Sequence, residues 1–291
     1  MAQPTPHESA QRARRVDAMV VAVLVSLGAF LLYRGWSFYW LDLDARLDHV
    51  DYDQLRPSGD IGHGYGILGT LLILGNLLYL ARRRFARANL GSMRLWLDLH
   101  VAGGLAGSAL VLFHSAFQFR TGVALMTGVS LALVVVTGLV GRYLYALSPV
   151  ADMARLEGLL REFEAARPGV TRDVRAAIEA HRPLMVDHHA SLLRKLVLAP
   201  GWLRVARVRR RAVVQVLDTA RAAEGTRDPQ VFVAFRGVAG DIAAQDALAD
   251  GFTSLLQSWR ALHRLLAILL LLLVPVHVGV AWFYGYRWIF E

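Results

Sequence analysis

Apolar residues in this chain gather into runs instead of recurring at a helical or strand period. Five runs are long enough to cross a bilayer core, which takes about 20 residues of α-helix. The first is VDAMVVAVLVSLGAFLLY at 16–33, the second covers about His63–Leu80 and the third about Leu95–Phe117. The fourth covers about Val123–Tyr145 and the fifth 258–290. Residues 146–257 differ: stretches such as LEGLLREFEAARPG and VTRDVRAAIEAHRPLM carry apolar positions at helical spacing, punctuated by Gly and Pro. The pattern predicts an all-α integral membrane protein of five transmembrane helices. Spans 1–4 fill residues 1–145, a helical insert fills 146–257, and span 5 fills 258–291.

Composition agrees: 55% of the 291 residues are hydrophobic, and the mean hydropathy is +0.40. Charge then orients the spans. Arg12, Arg14 and Arg15 precede span 1, and Arg82, Arg83, Arg84, Arg87 and Arg94 follow span 2. The loop between those spans opens with Trp36, Phe38, Tyr39 and Trp40, an interfacial aromatic belt, and continues with Asp42, Asp44, Asp48, Asp51, Asp53 and Asp60. Basic residues stay on the cytoplasmic side. The expected topology therefore has the N-terminus and the insert inside and the C-terminus outside, in a bacterial cytoplasmic membrane. The first run lacks a small-residue cleavage site behind it and reads as a retained span. The net charge of +9 belongs to cytoplasmic loops in this reading, not to a nucleic-acid surface.

Four histidines interrupt the apolar runs. His100 and His114 lie on span 3, His263 and His277 on span 5, each pair 14 residues apart. That separation is about 21 Å of helix and about 40° short of whole turns, so each helix shows one histidine near each membrane face on nearly one stripe. Spans 3 and 5 run parallel in this topology, which matches His100 with His263 inside and His114 with His277 outside. Ionisable groups in a membrane are costly and point to function. Two pairs at matched depths suit two bis-histidine haem b groups, each iron held from two helices. Gly103, Gly104 and Gly107 would let a flat macrocycle approach span 3, although Gly103-x-x-x-Gly107 also fits simple helix packing. With no cysteine, thiolate metal sites, cysteine-ligated iron–sulfur clusters and c-type haem attachment are excluded. The only lysine, Lys195, lies outside every span, which sets retinal aside. Asp98 is the only carboxylate near any of the four histidines, poor ligation for zinc or copper transport.

This arrangement resembles the di-haem cytochrome b membrane cores, in particular the ferric-reductase-like transmembrane domain, with histidine pairs on its third and fifth spans. It is also similar to the cytochrome b subunits of quinol oxidoreductases, which share the H-x13-H spacing. The resemblance covers spans 2–5 and implies two haems on His100, His114, His263 and His277, with electrons crossing the membrane between redox partners. The chain departs from that pattern in having no sixth span, no flavin or nicotinamide domain after span 5, and a helical insert before it. No nicotinamide cofactor is expected to bind.

Further candidates surround these four. His63, at the outer end of span 2, could serve a haem propionate or a quinone. Arg142 and Arg264 could neutralise inner propionates, and Arg120 and Arg287 outer ones, although snorkelling explains the same arginines. Gly64-Tyr65-Gly66-Ile67-Leu68-Gly69 matches the dinucleotide fingerprint literally, but no strand precedes it, so close helix packing is the better account. His181, His188, His189 and the run Arg207, Arg209, Arg210, Arg211 read as solvated. Membrane lipid and a redox partner protein are the expected partners. The competing class is a haem-free transporter or assembly subunit with structural histidines.

Overall fold

A computed structural model describes residues 6–85, 91–148, 151–164, 169–181, 190–222 and 229–284. Every regular element among them is a helix: α1 (Pro6–Tyr39), α2 (Leu43–Arg46), α3 (Tyr52–Leu55), α4 (Asp60–Gly75), α5 (Leu77–Arg84), α6 (Met93–His114), α7 (Gly122–Leu147), α8 (Met153–Glu164), α9 (Val170–Ala180), α10 (Leu192–Ala222) and α11 (Pro229–Phe283). Five stretches are long and apolar enough to cross a membrane: within α1, α3 to α5, α6, α7 and α11. This is the make-up of an integral membrane protein.

The chain divides into two compact units, residues 1–138 with 265–291, and residues 139–264. In the first, most large apolar side chains face outward, as expected where lipid replaces water. Its buried cluster joins Leu31, Phe38 and Tyr39 of α1 to Leu55 and to Leu110 and Phe113 of α6. Helices α4 and α6 run antiparallel and cross closely at Gly69 and Gly107. A Cβ on either would lie 2.8 Å from the other's carbonyl oxygen.

The end of α6 is held by an arginine. Ala116 and Phe117, just past His114, adopt left-handed φ of 47° and 61°, which costs a non-glycine residue roughly 1–2 kcal/mol. The buried Arg46 guanidinium donates to the Ala116 carbonyl (2.8 Å), to Tyr39 O (2.7 Å) and to Leu41 O (2.9 Å). It thereby satisfies carbonyls at the ends of two helices, groups that have no partner within their own helix. Removal from water lowers the Arg46 pKa from its ordinary value.

In the second unit α8, α9, α10 and the first part of α11 enclose an ordinary hydrophobic core around Leu156, Leu160, Val174, Val213, Leu217 and Phe232. Glu164 accepts the N–H groups of Gly169 (2.6 Å) and Thr171 (2.8 Å), which holds its carboxyl below the usual range. Two expectations are corrected here. Arg209 is not solvated: it is 2% exposed and pairs with Asp246 at 2.6 Å, because it falls on the same stripe as the buried Trp202, Ala206 and Val213. His181 is half-buried, its Nδ1 2.9 Å from the Ala177 carbonyl. His188 and His189 lie outside the described residues. Span 5 continues the last helix of the insert: α11 is one helix of 55 residues from Pro229.

Candidate functional site

His114 ends α6, and its position follows from what α4 lacks. Its Nδ1 lies 2.9 Å from the carbonyl oxygen of Gly62. Within α4 that carbonyl belongs to the turn below Gly66, and a Cβ on Gly66 would stand 2.8 Å from the same Nδ1. Only glycine at 66 leaves room for the imidazole to reach the backbone. A carbonyl can only accept, so the proton of neutral His114 sits on Nδ1 and Nε2 keeps its lone pair. This is the outer hydrogen bond that commonly fixes a ligating histidine.

The His277 ring lies opposite, with ring centres 6.5 Å apart and planes at 85°. The His63 ring meets His114 edge-on at 6.1 Å. The described residues therefore bring His63, His114 and His277 together. A metal shared by two imidazoles, with each nitrogen about 2 Å away and each ring centre ~1.1 Å further out, sets the ring centres roughly 6 Å apart. The 114/277 separation matches that spacing, as does the 63/114 separation. No group of three or more potential metal-binding side chains occurs among the described residues. Beside His277 an open cleft of about 640 Å³ is lined by Thr121, Gly122 and Val123 at the start of α7 and by Val276, Gly279 and Val280 of α11.

The other two histidines belong to different units, and each has its own setting. His100, in the first unit, has Tyr79 at 5.2 Å between ring centres, and its Nδ1 is buried beside the backbone of Asn76. Asn76, at the break between α4 and α5, straddles the adjoining rung of α6. In the amide orientation that satisfies both groups, it donates to His100 O (3.1 Å) and accepts from Gly104 N (3.2 Å). His263, in the second unit, stacks on Trp259 at 5.6 Å and 21°. Trp259 packs into the slot left by Gly141 on α7 and meets Tyr145 edge-on at 5.9 Å.

Span 3's glycines are taken up by protein. A Cβ on Gly103 or Gly104 would lie 3.0 or 3.3 Å from the Asn76 amide, and Gly107 faces Gly69. Their observed contacts are with span 2. The literal dinucleotide pattern resolves likewise: Gly66 seats His114, Gly69 crosses Gly107, and a Cβ on Gly64 would meet nothing within 4 Å. Arg142, Arg264 and Arg120 are exposed, and Arg120 donates to Gln118 (3.0 Å). Arg287 lies outside the described residues. Gly62, Asn76 and Trp259 carry no signal of their own in the sequence, and Gly66 stands out there only within the dinucleotide pattern. Glycines four apart facing a histidine at the far end of an antiparallel neighbour were the available clue.

Compared with family models, with curated proteins and with solved structures, the chain matches none.

Proposed function

We propose that this protein is a di-haem b-type cytochrome that passes electrons across the membrane between separate redox partners, in the manner of the ferric-reductase-like transmembrane cores it resembles. The observation that carries this reading is the pair His114 and His277, their rings perpendicular with centres 6.5 Å apart, with His114 Nδ1 anchored on the Gly62 carbonyl. His114 and His277 would hold one haem, and His100 and His263 the second. The bound haem supplies one-electron redox chemistry. The chain's own residues orient and insulate it. Gly62 fixes the tautomer of His114, Gly66 admits its ring, and the apolar spans keep water from the iron ligands. His63 lies near enough to His114 to serve a propionate or a quinone at the same level, and Arg264, next to His263 in sequence, with Arg142 at the end of span 4, would supply positive charge to the inner propionates. With the histidines 14 residues apart along each span, two carriers stacked at those levels would divide a bilayer core of about 30 Å.

An absorption spectrum of the purified protein tests this. Two low-spin haems per chain are expected, and absence of a Soret band ends the proposal in favour of structural histidines. Transmembrane conduction is tested in proteoliposomes with dithionite outside and ferricyanide sealed inside. Wild type should conduct faster than His114→Ala and empty vesicles; equal rates would remove the transmembrane role.

A further inference from the structure

Helix α10 has two faces that ask for burial, and its own unit covers one. Lys195, Trp202, Ala206, Arg209, Val213 and Leu217 are buried, at spacings of three, four and seven that form one stripe. Trp202 lies over Gly251, Arg209 pairs with Asp246, and Lys195 donates to Ser258 Oγ at 2.6 Å. That stripe belongs to the unit's interior.

Away from this stripe the first three turns are apolar yet exposed. Leu193 is 72% exposed and Val197 70%, with Leu196 and Leu203 near half. Further along, the same side turns basic. At about 100° per residue, positions 193, 197, 200, 204, 207 and 211 fall within about 80° of arc, and they read Leu, Val, Pro, Arg, Arg, Arg. A helix apolar on two sides is stable where something apolar covers the second side. An apolar patch bordered by arginines matches the boundary between acyl chains and anionic headgroups. The chain enters this unit from the apolar helix α7 and leaves it through α11, so a leaflet is always within reach of the tether. Pro200 has no N–H to return to the Leu196 carbonyl, which favours the hydrated interface over the hydrocarbon centre.

We propose that the first half of α10, Leu192–Leu203, beds into the surface of an anionic lipid leaflet, with Arg204, Arg207 and Arg211 on the headgroup phosphates. This docking does not depend on haem. The chain has no cysteine, so one introduced cysteine carries the only label. Full-length Val197→Cys and Gln215→Cys proteins, nitroxide-labelled and placed singly in nanodiscs of phosphatidylcholine and phosphatidylglycerol, report collisions with oxygen and with a water-soluble nickel chelate. At 197 oxygen access should be high and nickel access several-fold below that at the exposed position 215. Arg204→Glu, Arg207→Glu and Arg211→Glu, added together, should raise nickel access at 197 toward the value at 215. Should that protein fail to fold, discs of phosphatidylcholine alone provide the same comparison, and insertion undiminished there overturns the arginines' part. Equal nickel access at 197 and 215 would mean a solvated face. Exclusion of both reagents with an immobilised spectrum would mean a protein cover. Either result overturns the proposal.

Discussion

The histidines at the two ends of α6 are held by different means. His114 rests on backbone: its Nδ1 meets a carbonyl, and its ring enters a gap where Gly66 has no side chain. His100 has the Tyr79 ring beside it and the Asn76 amide bracketing its rung of helix, and its ring lies only loosely against the Asn76 backbone, outside the geometry of the Gly62 bond. A backbone seat is stiff and intolerant, because a carbonyl cannot be exchanged and an added methyl has nowhere to go. A side-chain seat adapts, because rotamers can move. The His114 end should therefore respond sharply to small changes, and the His100 end gradually.

Removing the proposed ligands has the largest expected effect. His114→Ala or His277→Ala should abolish one of two haems and leave the other, while His100→Ala or His263→Ala should do the reverse. Pyridine haemochrome content and a potentiometric titration measure this, and equal loss in all four variants would break the pairing. Next comes the seat. Gly66→Val should weaken haem retention at the His114 level by roughly 10–100-fold, the usual cost of disturbing an outer-shell contact. Gly64→Val, whose Cβ meets nothing within 4 Å, should leave retention unchanged. Similar behaviour of the two variants would deny that the missing side chain matters.

Arg46→Met sharpens the contrast by striking the turn beyond His114. It strips three carbonyls of a charged donor and should cost about 3 kcal/mol, seen as a lower melting temperature in detergent. The haem proposed at the His100 level should keep its potential. Asn76→Ala should have the smallest effect, about 1 kcal/mol, with a modest shift in potential confined to the His100 level. A larger loss from Asn76→Ala than from Arg46→Met would reverse the ranking of the two ends.

The spans were legible in the sequence because lipid-facing helices are written as unbroken apolar runs. The limits of α11 were not. GDIAAQDALADGFTSLLQSW reads as a separate segment containing a glycine breaker, yet Gly251 lies under the Trp202 ring and the helix runs straight through it. Arg209 was hidden by its neighbours: in VRRRA it looks like one of several solvated charges, and only the helical stripe through Trp202 and Val213 marks it as internal. The four histidines stood out by spacing alone. Their supports did not, because a carbonyl and a missing Cβ have no letter of their own. Gly66 could be noticed only inside a pattern that suggested something else. Arg46 stands among the aspartates of an acidic loop, and nothing local shows that it reaches Ala116, 70 residues ahead.

That last distance bears on how the protein is made. Synthesis proceeds from the N-terminus, so α1 and the loop bearing Arg46 leave the ribosome well before the end of α6. The guanidinium and two of its three acceptors, Tyr39 O and Leu41 O, belong to that early segment, and the third acceptor arrives last. The left-handed pair Ala116–Phe117 thus closes onto a clamp whose other parts already exist. First-span defects should consequently surface late in biogenesis, as failure to finish the turn after His114, even though α1 carries none of the four histidines.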